Sequence, residues 1–286
     1  MFLPLITYVS FLLSFTIAQL SGPVSPLTSF SSKASRKTCN VLAYGAIADN
    51  STDIGPSLTA AWAKCKNGGL VYIHPGTYAM RTWVKLTSGN ATAIQLDGTI
   101  FRDSDDGPNM ISVRNVNDFE FFSGNSQGAV QGYGYKLLQN GTYGPRFIRI
   151  EDTTHFSVHG FALVDSAAYY FVFANCVNGK IYNLIIRGIQ IGMTDGIDIW
   201  GRNIWVHDVE ATNGDECVCI KSPSKDILIE SIYCNISGGT SIGSLGTGTN
   251  VSNIYLRKIK QRRWICRKCH MGYSRSSRRS IHPCRK

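Results

Sequence analysis

A short β-branched or aromatic run returns along the second half of the chain with a nearly fixed period. It occurs as "HFSVHGF" around Phe156, "KIYNLII" around Ile181, "NIWVHDV" around Ile204, "DILIESI" around Ile227 and "NIYLRKI" around Ile254. These markers stand 25, 23, 23 and 27 residues apart, and Asn or another turn former commonly precedes the run. One strand-turn unit at such a period marks a solenoid, in which each unit buries its apolar face only against its neighbours. Leucine-rich repeats share the period, but their Leu-x-x-Leu-x-Leu frame is missing. β-branched and aromatic strands divided by Gly, Asn and Asp turns suit an all-β chain wound as a right-handed parallel β-helix.

The repeat does not begin at residue 1. Residues 1–18, "MFLPLITYVSFLLSFTIA", are apolar and end in Thr-Ile-Ala, which fits a secretory signal peptide cut after Ala18. The run is broken by Thr7, Ser10, Ser14 and Thr16 and is short for a membrane span. Residues 19–37 are rich in Ser and Pro and read as an extended arm. Then Ile54, Leu58, Ala61, Trp62 and Cys65 follow helical spacing, which predicts one amphipathic helix. Cys39 and Cys65 flank this unit, where they could staple it. "GGLVYIHPGTY" (68–78) reads as a strand with a Pro-Gly turn, and no later helix is expected.

Export would give the nine Cys an oxidising destination and make disulfides available to them. It would also make glycan acceptors of the five Asn-X-Ser/Thr sequons, at Asn50, Asn90, Asn140, Asn235 and Asn250. The net charge of +10 suggests nucleic-acid binding at first sight. Residues 257–286, however, hold twelve Lys and Arg and no acidic residue, and the remainder carries 17 basic against 19 acidic residues. The basic signal belongs to the tail alone.

Residues 194–223, "TDGIDIWGRNIWVHDVEATNGDECVCIKSP", hold four acidic groups in two tight clusters, Asp195 with Asp198 and Asp215 with Glu216. Asp195 lies nine residues before the marker Ile204, and Asp215 and Glu216 lie twelve and eleven before Ile227. In a coil whose rungs stack about 4.8 Å apart, the two clusters occupy nearly the same angular position on successive rungs. Carboxylates held so close repel, which raises some of their pKa values, and glycosidic cleavage needs one protonated and one ionised carboxyl. Asp-Gly pairs are also ordinary turn residues whose carboxylates are merely solvated, and spacing alone leaves both readings open.

The motifs themselves resemble the pectin-degrading polygalacturonases and rhamnogalacturonan hydrolases, inverting glycosidases built on a right-handed parallel β-helix of the pectin-lyase-like type. "MTDGIDIWG" (193–201) resembles the family's Asn-Thr-Asp-Gly-aromatic-Asp motif, "GDECV" (214–218) its Asp-Asp-Cys motif, and "SGGTSIGSLG" (237–246) its Gly-rich segment. "YGAIADNSTD" and "GGLVYIHPGTY" resemble its opening, so that the likeness spans about residues 39–258. The resemblance implies that Asp215 is the general acid, and that Asp195 and Glu216 hold and deprotonate water across the wider carboxyl separation of an inverting enzyme. It also implies disulfides Cys39–Cys65 and Cys217–Cys234, a pectic polysaccharide as substrate, and no cofactor or metal. No nucleic-acid or membrane partner is expected of a secreted monomer of this kind. Lys221 is a candidate for the uronate carboxylate, with a plain surface lysine as the alternative.

Two departures bear on the substrate. The Gly-rich segment has Gly238-Gly239-Thr240 where polygalacturonases carry Gly-His-Gly, and Glu216 replaces the second Asp. Both point to rhamnogalacturonan and its galacturonate–rhamnose linkages. Homogalacturonan, or pectin binding without turnover, are the other outcomes. The family also continues through further rungs, so residues 38–258 read as an incomplete catalytic domain with its C-terminal rungs missing. Residues 259–286 drop out of the repeat and read as a frameshifted or misassigned exon. "CRKCH" (266–270) matches a covalent haem motif without a cytochrome around it, and Cys266, Cys269, His282 and Cys284 form only an irregular zinc set. A nucleic-acid arm is out of place in a secreted protein. Cys176 and Cys219 receive no assignment from the sequence.

Overall fold

The computed structural model describes residues 19–262. The expectations for residues 1–18 and for the tail cysteines and histidines from Cys266 onward therefore lie outside the described residues. Among the described residues, seventeen strands, all paired in parallel, wind into a solenoid with three faces. A front face carries Phe171–Ala174, Ile197–Trp200 and Val218–Ile220 in register, with Phe171 opposite Ile197 and Ile197 opposite Val218. A back face stacks the runs found by period, and a third face carries Leu184–Arg187, Val209–Thr212 and Ile232–Cys234.

The turn former before each back-face run has a defined job. Asp118, His155, Asn178, Asn203, Asp226 and Asn253 all adopt positive φ between 52° and 58°. This left-handed kink turns the chain from the front face to the back face, and Asn and Asp tolerate it better than most residues. Asn203 Nδ2 donates to Asn178 Oδ1 (2.8 Å) and Asn253 Nδ2 to Asp226 Oδ1 (2.8 Å), so neighbouring coils are also tied through these side chains.

One back-face marker is displaced. Phe156 pairs with Gly179 rather than Ile181, and Gly179 with Ile204. A Cβ on Gly179 would lie 2.0 Å from the Phe156 ring, which itself stacks on Phe173 at 5.7 Å. The ring takes the space that a side chain would fill. The two-residue offset keeps Ile181 on the inward side, so the expected set of buried residues is unaffected.

The predicted helix forms as Gly55–Cys65 and closes one end of the coil, with Leu58, Ala61 and Trp62 buried. Both expected disulfides, Cys39–Cys65 and Cys217–Cys234, are present. Three expectations need correction. A one-turn helix, Tyr135–Leu138, interrupts the region read as helix-free. The last strand among the described residues, Val251–Gln261, pairs through Ile259 and Gln261 with Ile232 and Cys234, so the repeat outruns the boundary drawn at residue 258.

The arm is the third. Residues Phe30–Arg36 form a helix capped by Ser29 rather than an extended strand. Lys33 is buried on this helix, and its Nζ lies 2.9 Å from Asp118 Oδ1. Asp118 also accepts from the Leu27 and Thr28 amides (3.0 and 3.2 Å) and the Thr28 hydroxyl. Further along, Asn203 accepts from the Ser21 amide at 2.9 Å. The arm is thus pinned to two kink residues several coils apart. Ser-rich composition hides this helix because the stabilising partner lies 85 residues away. Removing one member of a buried ion pair strands the other charge. Asp118→Ala is expected to lower unfolding free energy by ~3–5 kcal/mol in urea titrations; a loss typical of a surface pair would show that Lys33 escapes to water.

Candidate active site

The front-face register brings the two acidic clusters together. Since Ile197 faces Val218, counting back two residues sets Asp195 beside Glu216 on adjacent coils. Backbone bonds continue the ladder into both loops: Gly196 N–H donates to Glu216 O (2.8 Å) and Ile197 N–H to Cys217 O (3.1 Å). Buried Asn213 donates from Nδ2 to Thr194 O (2.6 Å) and Glu216 O (2.8 Å), and the Gly214 amide donates to Thr194 Oγ1 (2.7 Å). A Cβ on Gly196 would lie 2.5 Å from Cys217 O, so glycine is required where the coils approach. Behind them the Cys217–Cys234 disulfide joins this loop to the end of the third-face strand.

Oxygens from Asp195, Asp215 and Glu216 all lie within 4.8 Å of one another, close enough to share a proton, a water or a cation. That is narrower than the separation of about 6.5–9.5 Å usual between opposing carboxyls in inverting glycosidases. The expected wide gap is therefore not the feature that seats a water here. Asp198, between inward-facing Ile197 and Ile199, points outward onto the same floor, with Lys221 Nζ 3.3 Å from its Oδ1.

Burial pushes Asp195 up to about 9, helped by its hydrogen bond to Glu216 and by the charges of Asp198 and Asp215. Burial would also raise Glu216, but hydrogen bonds to Asp195 and Asp215 and the Lys221 charge outweigh it and hold Glu216 down to about 2. At neutral pH the Asp195–Glu216 pair therefore keeps one proton and one negative charge. Burial raises Asp198 to about 6, the Lys221 charge limiting the rise. Burial lowers the Lys221 ammonium pKa and the Asp198 charge raises it, with a net rise. Lys221 is thus a paired cation in the cleft rather than a free surface lysine.

The sequence left Asp198 without a role, although the in–out alternation of "IDIW" forces it to the outside of the coil. Cys219, one coil on from Asp198, is a buried thiol whose Sγ lies 3.1 Å from the donating Ser241 hydroxyl; burial raises it to about 11. Cys176 is an interior thiol raised to about 12 by burial. Asn50, Asn90, Asn140 and Asn250 are exposed. Asn235 is half-buried and donates from Nδ2 to Thr212 Oγ1 (3.2 Å), which makes it the poorest glycan acceptor of the five.

The raised Asp195 carries a stability consequence. Between pH 3.8 and about 9 the folded chain keeps a proton that an unfolded aspartate has released, so its contribution falls as pH rises through that window. Asp195→Asn removes this slope. Its melting temperature relative to the native chain is expected to climb by several degrees from pH 4 to pH 8, measured by calorimetry; a difference independent of pH would refute the raised pKa.

Comparison with known proteins follows the same residues. The chain is 59% identical over 243 residues to the "Probable rhamnogalacturonase C" of Aspergillus flavus, covering 85% of this chain and 54% of that protein. It is also 59% identical over 241 residues to the "Rhamnogalacturonase A" of Aspergillus aculeatus, covering 84% and 55%. The chain spans about half the length of these curated relatives. Its fold superposes on the crystal structure of endo-xylogalacturonan hydrolase from Aspergillus tubingensis with a TM-score of 0.70 at 26% identity, over 77% of this chain and 64% of that one. A family model covers residues 77–263, which include both acidic clusters, and on that match the chain belongs to the glycosyl hydrolases family 28.

Proposed function

We propose that this chain is a secreted glycosidase of the pectin backbone that cleaves galacturonate–rhamnose linkages of rhamnogalacturonan with inversion. The observation that carries the reading is the three-carboxylate cluster on adjacent coils, with one proton held by the Asp195–Glu216 pair. In this reading Asp215, in the cluster but outside that pair, protonates the leaving oxygen. The ionised member of the Asp195–Glu216 pair takes the proton of an attacking water as the glycosidic bond breaks. Inversion rests on the resemblance of the 193–201 and 214–218 motifs to those of inverting pectin-backbone glycosidases, not on the carboxyl spacing. Relatives at 59% identity named rhamnogalacturonases support rhamnogalacturonan over homogalacturonan. Export is supported by the apolar leader, two formed disulfides and four exposed sequons.

The test uses the 286-residue chain. Purified protein is expected to release reducing ends from rhamnogalacturonan, and NMR of the first product should show the inverted anomer. Asp215→Asn should lower the rate by about 10²–10⁴ with unchanged circular dichroism. Full activity of that variant would sink the assigned acid, and a retained anomer would sink the water mechanism. Binding without any released ends would leave a pectin-binding protein.

A further inference from the structure

The angular row that carries Asp195 and Glu216 continues backward along the solenoid. Phe171 faces Ile148 on one side and Ile197 on the other, so Arg146, Tyr169, Asp195 and Glu216 stand in one line on four successive coils. Backbone bonds run along it: Phe147 N–H donates to Tyr169 O (3.1 Å) and Tyr170 N–H to Asp195 O (3.0 Å). With coils about 4.8 Å apart, Tyr169 borders the carboxylates and Arg146 stands about 10 Å beyond Asp195. The Arg146 guanidinium lies 5.1 Å from the centre of the Tyr169 ring, and both side chains are half exposed.

Arg146 differs from its neighbours. Arg114 and Arg149 on the same face have acidic partners, Asp152 at 3.0 Å and Glu151 at 3.1 Å. Among the described residues Arg146 has no carboxylate within ion-pair distance, and its charge is felt at both Asp198 and Tyr169. The floor itself is acidic, with Asp195, Asp198, Asp215 and Glu216 against Lys221, which Asp198 already engages. An acidic polysaccharide entering such a cleft is repelled unless a fixed cation stands clear of the catalytic carboxylates. A guanidinium fork fits a carboxylate with two parallel hydrogen bonds, and stacking on an aromatic ring presents that fork in a fixed plane.

We propose that Arg146, oriented by Tyr169, is a subsite for the carboxylate of a hexuronate residue two coils from Asp195, and so a determinant of specificity for acidic sugar chains. The inference rests on the pectic-substrate reading above and adds to it the residue that recognises the acid. Tyr169 would lie under the intervening sugar, between the recognised uronate and the bond that is cut.

Binding of rhamnogalacturonan oligosaccharides, and of the same oligosaccharides with carboxyls reduced to alcohols, separates the possibilities. Both probes are titrated calorimetrically against the Asp215→Asn chain with and without Arg146→Gln. The acidic probe should bind about tenfold or more weakly to the Arg146→Gln chain, while the reduced probe is unaffected. Arg146→Lys should restore part of the loss and lower its geometric selectivity. Equal weakening of both probes would reveal a merely structural role, and unchanged binding of the acidic probe, or no binding to the parent, would overturn the assignment. Discrimination between probes by a chain that never releases reducing ends would sink the hydrolase reading and leave this subsite standing.

Discussion

Everything in this molecule hangs on hydrogen bonds between successive coils, because they convert distance along the sequence into adjacency in space. Asp195 and Glu216 are 21 residues apart in sequence, yet they are neighbours because Ile197 and Val218 are paired. Parallel pairing leaves little freedom to slip, since a one-residue shift would send every inward isoleucine to the solvent side. The interior column of Ile197, Ile199, Val218 and Ile220, all essentially inaccessible to water, enforces that register. Burial of each such side chain contributes on the order of 1.5–3 kcal/mol. The carboxylate row is therefore positioned by core packing two residues away, and the acidic side chains need not attract one another to be close.

That division of labour explains how four carboxylates tolerate a common site. Repulsion and desolvation work against them, and both are visible in the upward displacement of Asp195 and Asp198. The opposing terms are local: a proton shared by Asp195 and Glu216, the Lys221 ammonium against Asp198, and Asn213 fastening the two loops from beneath. One group strained toward protonation and its neighbour held ionised thus share the pair's single proton, which leaves an ionised base beside Asp215, the acid proposed above.

How much of this was legible depended on whether the signal was periodic. The coil was, because an inward β-branched residue and a left-handed kink must recur on every turn, and Asn203, Asp226 and Asn253 mark it in the sequence. Gly179 broke the count, since a glycine making room for the Phe156 ring looks like no marker at all. Asp195, Asp215 and Glu216 were found by the same periodicity, and the identity of the flanking motifs supported their roles. The arm was misread because its helix is fixed by one non-local contact, Lys33 to Asp118, that composition cannot report. Arg146 and Tyr169 were missed for a different reason. Neither has an informative neighbour in sequence, and they become a row with Asp195 only once the exact coil lengths between them are known.

Those coil lengths are uneven, and the unevenness is where specificity can be written. From Arg146 to Tyr169 is 23 residues, from Tyr169 to Asp195 is 26, and from Asp195 to Glu216 is 21, although all four occupy one angular position. The differences are absorbed in the loops that precede the front face, such as the segment containing Gly188, Gly192 and Met193, where the Met193 amide donates to the Tyr143 hydroxyl. Strands keep the row straight while loops of different length raise or lower its walls. A solenoid can therefore change which sugar it accepts without disturbing the carboxylates that act on it, since the positions that recognise and the positions that react are set by separate parts of each coil.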